Sequence, residues 1–296
     1  MARITSAEFA EGIALMLGVC LFQSVLSGVR LREILHTYKV FQCTKTCIVH
    51  CYIGNFFSQT FVSIIGGDAM RIWRLTKSGV RVRTAGGAIF LDRATGLIAL
   101  ILLFGATVPE MSVRVEEPIM QAGLYSMLAV GAAGIAGFYL LPTVTLRIIP
   151  TRIRRAKIGD GISDVLNHCR IYSRKGWVQI RVLLLGVILH TSNIIALWAL
   201  LLLFGADVGF WEAALLLPVG LLLSALPISF AGWGVREGTL VYSFAVIGVP
   251  SDIVLAASVV YGIGLLVGYS PGLLMFLFKR DESSAASQAI ETKEEY

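Results

Sequence analysis

The chain carries several apolar runs of bilayer length set apart by short clusters of lysine and arginine, and this arrangement excludes most folds before any motif is read. A helix crosses a membrane in about 20 residues at roughly 1.5 Å each, and the alternating signal of a membrane barrel, about ten residues per strand, is absent. Hydrophobic residues make up 56% of 296 positions and charged residues 15%, with a mean hydropathy of +0.77, so an ordinary soluble domain is excluded as well. The fold class expected is all-α, a polytopic helical membrane protein.

The formal net charge of +6 does not point to nucleic acid, because the cations fall between apolar runs and not along one surface helix or groove. Such clusters hold helix ends in the cytoplasm and attract anionic head groups. A first span over 12–29 ends at Arg30, Arg32 and Lys39, which puts the N-terminus outside, and it reads as a retained helix with no cleavable signal. A second span over 84–108 runs outward, and one over 119–146 returns past Pro142. The basic segment of about 147–181 is then cytoplasmic, with a membrane-surface helix over 160–172. A span over 182–204 runs outward, and one over 253–278 returns to a cytoplasmic C-terminus, kinked at Tyr269, Ser270, Pro271 and Gly272. One transmembrane domain covers 1–280, and the polar residues 281–296 read as a disordered tail.

Two further runs do not fit simple spans. The run over 47–65 follows Lys39 and Lys45 and precedes Arg71, Arg74 and Lys77, so both its ends want the same side and a re-entrant hairpin is expected. The run over 213–247, broken near 227–237, has to enter and leave from the outer side. Each half then holds a span, a broken hairpin and a span, with the two hairpins oppositely inserted as in an inverted repeat. Paired interrupted segments of this kind point to a transporter's binding site. The spacing from Gly67 to Arg71 is that from Gly232 to Arg236.

At the first break, Gly66 and Gly67 are expected to take positive φ and to open a helix N-terminus, with Asp68 as its cap and Arg71 one turn on. At the second, Gly232 and Gly234 flank Trp233, and Arg236 and Glu237 follow. A guanidinium beside unpaired N–H groups suits a phosphate. Asp92 and Arg93 stand inside a span, where each costs about 2.5 to 3.5 kcal/mol unless paired, so partners are expected. The alternative use of these charges is as fixed ion pairs, Asp68 with Arg71 and Arg236 with Asp92 or Glu237. Tyr52, Asn55 and Gln59 form a polar stripe that suits either a wet cavity or a helix-packing face. His190 and Asn193 lie on neighbouring faces of 182–204, where a histidine serves either as a helix–helix hydrogen-bonder or as a proton carrier. Cys43, Cys47 and Cys51 recur every four residues beside His50 but without a CxxC spacing, so they read as small apolar residues; no metal, cofactor or disulfide is expected. Without a P-loop, HExxH, nucleophile elbow or Rossmann fingerprint, neither ATP-driven pumping nor another enzyme activity is expected.

The segments GGDAMRIWRLTKSG at 66–79, AIFLDRATGLIAL at 88–100 and LPISFAGWGVREG at 226–238 resemble the GGDxxR, DR-Gly-Leu and LPxSxxGxGxRE signatures of the lysylphosphatidylglycerol synthase transmembrane-region family. The resemblance covers 12–278. It implies a flippase-like domain of the bacterial inner membrane, related to the membrane half of the multiple peptide resistance factor. It also implies a lipid path lined by Gly66, Gly67, Asp68, Arg71, Asp92, Arg93, Gly232, Gly234, Arg236 and Glu237. Two positions depart from the family pattern: its usual opening membrane helix is not found before Gly12, and its Pro-Gly approach to the first hairpin reads Val62, Ser63, Ile64, Ile65. No aminoacyl-transfer domain follows Arg280 here, so synthesis of lysylphosphatidylglycerol is not expected of this chain.

The function expected is translocation of a polar, phosphate-bearing lipid between leaflets, with anionic or polyprenyl-phosphate-linked lipids as partners. The alternative is a non-transporting membrane protein that presents lipid precursors to a separate glycosyl- or aminoacyl-transferase.

Overall fold

A computed structural model describes residues 5–60, 63–114, 118–148, 157–224 and 233–278. Among them, five helices are long and apolar enough to cross a membrane. They are α1 (Ser6–Thr37), α4 (Val82–Arg114), α5 (Pro118–Ile148), α7 (Gly176–Leu203) and α10 (Ser251–Tyr269), the last continuing as helix over 271–278. Between them lie the shorter α2 (Thr44–Thr60), α3 (Ser63–Lys77), α6 (Lys157–Ser173), α8 (Phe210–Ser224) and α9 (Val235–Ala245). The five spans correspond to the apolar runs of the sequence, so this is a multi-pass membrane protein.

Local chemistry sets the ends. Thr5 and Glu8 form a reciprocal capping box that starts α1 six residues before the expected span, and the helix runs on past Arg30 to Thr37. Arg30 is therefore not a flanking anchor but a buried residue of the helix. At the other end of the chain Pro271 has no N–H for the carbonyl of Val267, and Ser270 supplies both its N–H at 3.1 Å and its hydroxyl at 2.8 Å instead. The Gly268 carbonyl beside this break accepts the hydroxyl of Tyr52 from α2. The helix is thus interrupted at Ser270, beside the expected proline; Ser270 replaces the missing donor, and the neighbouring α2 binds the next carbonyl.

α2 packs along α3 and α8 along α9, so both interrupted runs are helical pairs. At 17, 15, 15 and 11 residues these helices fall short of a full crossing. The expected positive φ at Gly66 and Gly67 is not found: both lie inside α3, whose first residue is Ser63. Gly67 serves close approach, since a Cβ there would run into Ser58 and the Gly54 carbonyl of α2. The second break carries the positive φ, at Gly234 (83°), immediately before α9. The turns joining each pair, with residues 226–232 and hence Gly232, lie outside the described residues, as does the segment 281–296.

Exchanging α1 with α7, α2 with α8, α3 with α9 and α4 with α10 carries the packing pattern onto itself. The contacts α1–α2, α2–α3 and α3–α4 map onto α7–α8, α8–α9 and α9–α10. The long-range contacts α1–α10, α1–α4 and α2–α10 map onto α7–α4, α7–α10 and α8–α4. Each hairpin therefore leans on the closing span of the other half. α5 and α6 have no counterpart. α6 packs on α4, α5 and α7, with Tyr172 and Cys169 buried and Arg83 paired to Asp164 at 2.8 Å. Burial pushes the Cys169 thiol up to about 11, which leaves it protonated and unreactive.

Candidate functional site

The first charged cluster draws on four helices. Asp92 of α4 accepts from Arg30 of α1 at 2.8 Å and lies 3.8 Å from Arg71 of α3. Asp68, one turn before Arg71 and 3.6 Å from it, takes a two-pronged interaction from Arg93 of α4, at 2.7 and 2.8 Å. Asn55 of α2 accepts from Arg71, and the Arg71 Nε–H is buried without a hydrogen-bond partner. Gly54 makes room for this guanidinium, because a Cβ at 54 would meet its Cγ and Nε. Three guanidinium groups thus face two carboxylates, and the charge left over sits on the one with the longest ion pairs, Arg71. Arg30, Arg71 and Asp92 are all buried, while the Arg93 side chain is 40% exposed.

The second cluster is more compact. Arg236 and Glu237, neighbours in sequence on α9, pair at 2.5 Å, and Ser258 of α10 hydrogen-bonds both, at 3.1 and 3.2 Å. The other carboxylate oxygen of Glu237 accepts the Gly234 N–H at 2.6 Å, which caps α9 and aims the acid at the arginine. The guanidinium lies over the rings of Trp233 and Tyr261, at 5.2 and 5.4 Å from their centroids. A side chain on Gly262 would collide with this arrangement.

Between the clusters runs a belt of neutral polar groups. The Tyr261 hydroxyl donates to Asn193 of α7 at 2.7 Å, and Gln23 of α1 donates to the same oxygen at 2.9 Å. Gln23 in turn accepts from Tyr269 at 3.0 Å, whose ring meets Tyr52 edge-on one turn from Asn55. Gln23 and Asn193 lie on the pair of helices that exchange with one another, so two amides meet where the halves join.

Of the residues expected from sequence, Asp68, Arg71, Asp92, Arg93 and Asn55 converge in one place, and Gly234, Arg236 and Glu237 in another. Arg236 pairs with Glu237 and not with Asp92. Gln59 is half-buried, with no hydrogen bond among the described residues, and His190 bonds the Gly96 carbonyl at 3.0 Å. Sequence reading missed Arg30, Gln23, Ser258, Tyr261 and Tyr269; the polar Gln23 seven residues before Arg30 inside an apolar run was the available signal. All five cysteines are free, and among the described residues no group of three or more His, Cys, Asp or Glu converges as a metal site.

Charged groups held by interrupted helices inside a bundle of apolar spans define an integral membrane protein whose polar chemistry lies within the bundle. Residues 2–270 match the family described as the lysylphosphatidylglycerol synthase TM region, and the chain belongs to that family. No curated protein matches the chain.

Proposed function

We propose that this chain is a lipid translocase of the bacterial inner membrane that moves a polar, phosphate-bearing lipid between leaflets, its N-terminus outside and its C-terminus cytoplasmic. The observation that carries this reading is the unbalanced buried cluster: three arginines against two aspartates, with Arg71 left short of a close anion. Leaving such a charge unpaired inside a membrane protein is costly, and a phosphodiester oxygen is the group that complements it. The lipid tail stays in the bilayer while the head group passes along the hairpins. No covalent step is involved; the residues bind, orient and release. The lipid enters as an anionic or polyprenyl-phosphate-linked species made by a separate enzyme.

The test is reconstitution of the full chain in liposomes carrying fluorescent phosphatidylglycerol or a fluorescent polyprenyl phosphate, with a membrane-impermeant quencher reporting the outer leaflet. The protein is expected to speed exchange, and Asp68→Asn and Arg236→Gln to slow it while inserting normally. Exchange no faster than in protein-free vesicles, over both lipid classes, would sink the reading. Lipid binding without exchange would instead favour a protein that presents lipids to a transferase.

A further inference from the structure

Three residues beyond Arg71, on the same side of α3, stands a second buried arginine. Arg74 is 9% exposed, and no carboxylate lies within ion-pair reach of it among the described residues. Its Nε–H donates to His50 Nδ1 at 3.5 Å. A guanidinium only donates, so Nδ1 is the acceptor in this contact. His50 Nε2 faces Ser78 Oγ at 3.1 Å, and the Ser78 hydroxyl donates to the Arg74 carbonyl at 3.1 Å. Arg74, His50 and Ser78 thus close a ring on the backbone that includes no carboxylate. The carbonyls that end α3 are occupied as well: Ser78 and Val80 N–H groups reach Arg74 and Leu75, and Gly79, at φ 85°, reaches Thr76. Arg74 is thus held through Nε by His50, while its Nη1 and Nη2 groups make no hydrogen bond among the described residues.

Its depth follows from its neighbours. The Lys77 ammonium lies 6.0 Å over the exposed Trp73 ring, and Arg181 lies 5.5 Å over the exposed Trp177 ring at the start of α7. α3 ends and α7 begins on the same side of the bundle, and tryptophan–cation pairs of this kind mark the head-group layer. Arg74 lies just inside that layer, between it and Arg71.

We propose that Arg74, positioned by His50 and Ser78, binds the phosphate oxygens of an anionic lipid head group in the leaflet on that side, through its two free Nη groups. Its place as the station before Arg71 rests on the translocase reading; the binding itself does not.

The experiment titrates the full chain, in zwitterionic micelles, with short-chain phosphatidylglycerol and separately with inorganic phosphate, following the thermal unfolding midpoint. Phosphatidylglycerol is expected to raise the midpoint of the wild type, and Arg74→Gln to need about tenfold more of it for the same rise. Arg74→Met, without any added anion, is expected to unfold at a higher temperature than the wild type, because it removes an uncompensated buried charge. A residue that merely staples His50 would give the opposite shift. Arg74→Gln titrating like the wild type, or Arg74→Met unfolding earlier, would overturn the site. Equal protection of the wild type by inorganic phosphate would overturn the lipid as its source. A wild type that binds phosphatidylglycerol but never moves it would defeat the translocase and leave this site standing. One that moves lipid, while Arg74→Gln binds it unchanged, would do the reverse.

Discussion

Arg71 in the first hairpin and Arg236 in the second each stand four residues beyond a glycine, on helices that exchange with one another in the packing pattern. Their surroundings differ. Arg236 has its acid in the next residue, a serine bridging both and two aromatic faces around it, so its charge is balanced within one hairpin and one span. Arg71 shares its acids with Arg30 and Arg93, and its neighbourhood spans four helices. Arg71 meets the acid Asp92 on α4, whereas Arg236 meets the uncharged Ser258 on α10. The second cluster is balanced by its own acid, whereas in the first three guanidinium groups share two carboxylates, with Arg71 holding the longest ion pairs.

The largest effect expected from breaking this comparison is on Asp92. Asp92→Asn removes the shared acid of two buried arginines and should destabilise the folded protein by about 3–5 kcal/mol, read from unfolding in micelles; a loss below about 1 kcal/mol would mean that the arginines find other partners. Next comes the packing inside each hairpin. A Cβ at Gly67 would meet the backbone carbonyl of Gly54, whereas one at Gly220 would meet the side chain of Leu240. Gly67→Ala should therefore cost about 1–3 kcal/mol, and more than Gly220→Ala, because a side chain can move aside and a helix backbone cannot. The reverse order would show that α8 and α9 are the more rigid pair.

A double replacement, Arg236→Met with Glu237→Gln, removes a balanced pair and keeps an acceptor for the Gly234 N–H. Stability should change by less than about 1 kcal/mol, while lipid exchange in liposomes falls to background. Full exchange by this variant would make the second cluster a mere staple. The smallest effect should come from Arg93→Gln: Asp68 keeps Arg71 at 3.6 Å, so less than about 1 kcal/mol is expected from unfolding in micelles.

Spans and hairpins were legible because each is a local property, an apolar run of given length with cations or a Pro–Gly break at its end. The interruption beside Pro271 could be placed for the same reason, since a missing N–H is a fact about one residue. Partners were less legible. Arg30 looked like a flanking anchor because the capping box at Thr5 and the continuation of α1 past Val29 are invisible in a hydropathy reading. Its acid lies 62 residues away on another helix, and no spacing rule reaches that far. Asp68 and Arg71 looked like a natural pair at helical spacing, yet Arg93 makes the closer contact from α4. Gly66 and Gly67 were read as a turn; one of them instead allows two helices to touch, which requires the partner's Gly54 and Ser58 to be known.

α5 buries only 6% of its crossing window against the rest of the chain and has no counterpart in the exchange of halves. An apolar helix of crossing length that packs so little against its own chain turns most of its surface to the lipid, so its side chains answer to the bilayer more than to a protein neighbour. Apolar exchanges along it should therefore be tolerated far better than the same exchanges on α4, whose crossing window is 61% buried.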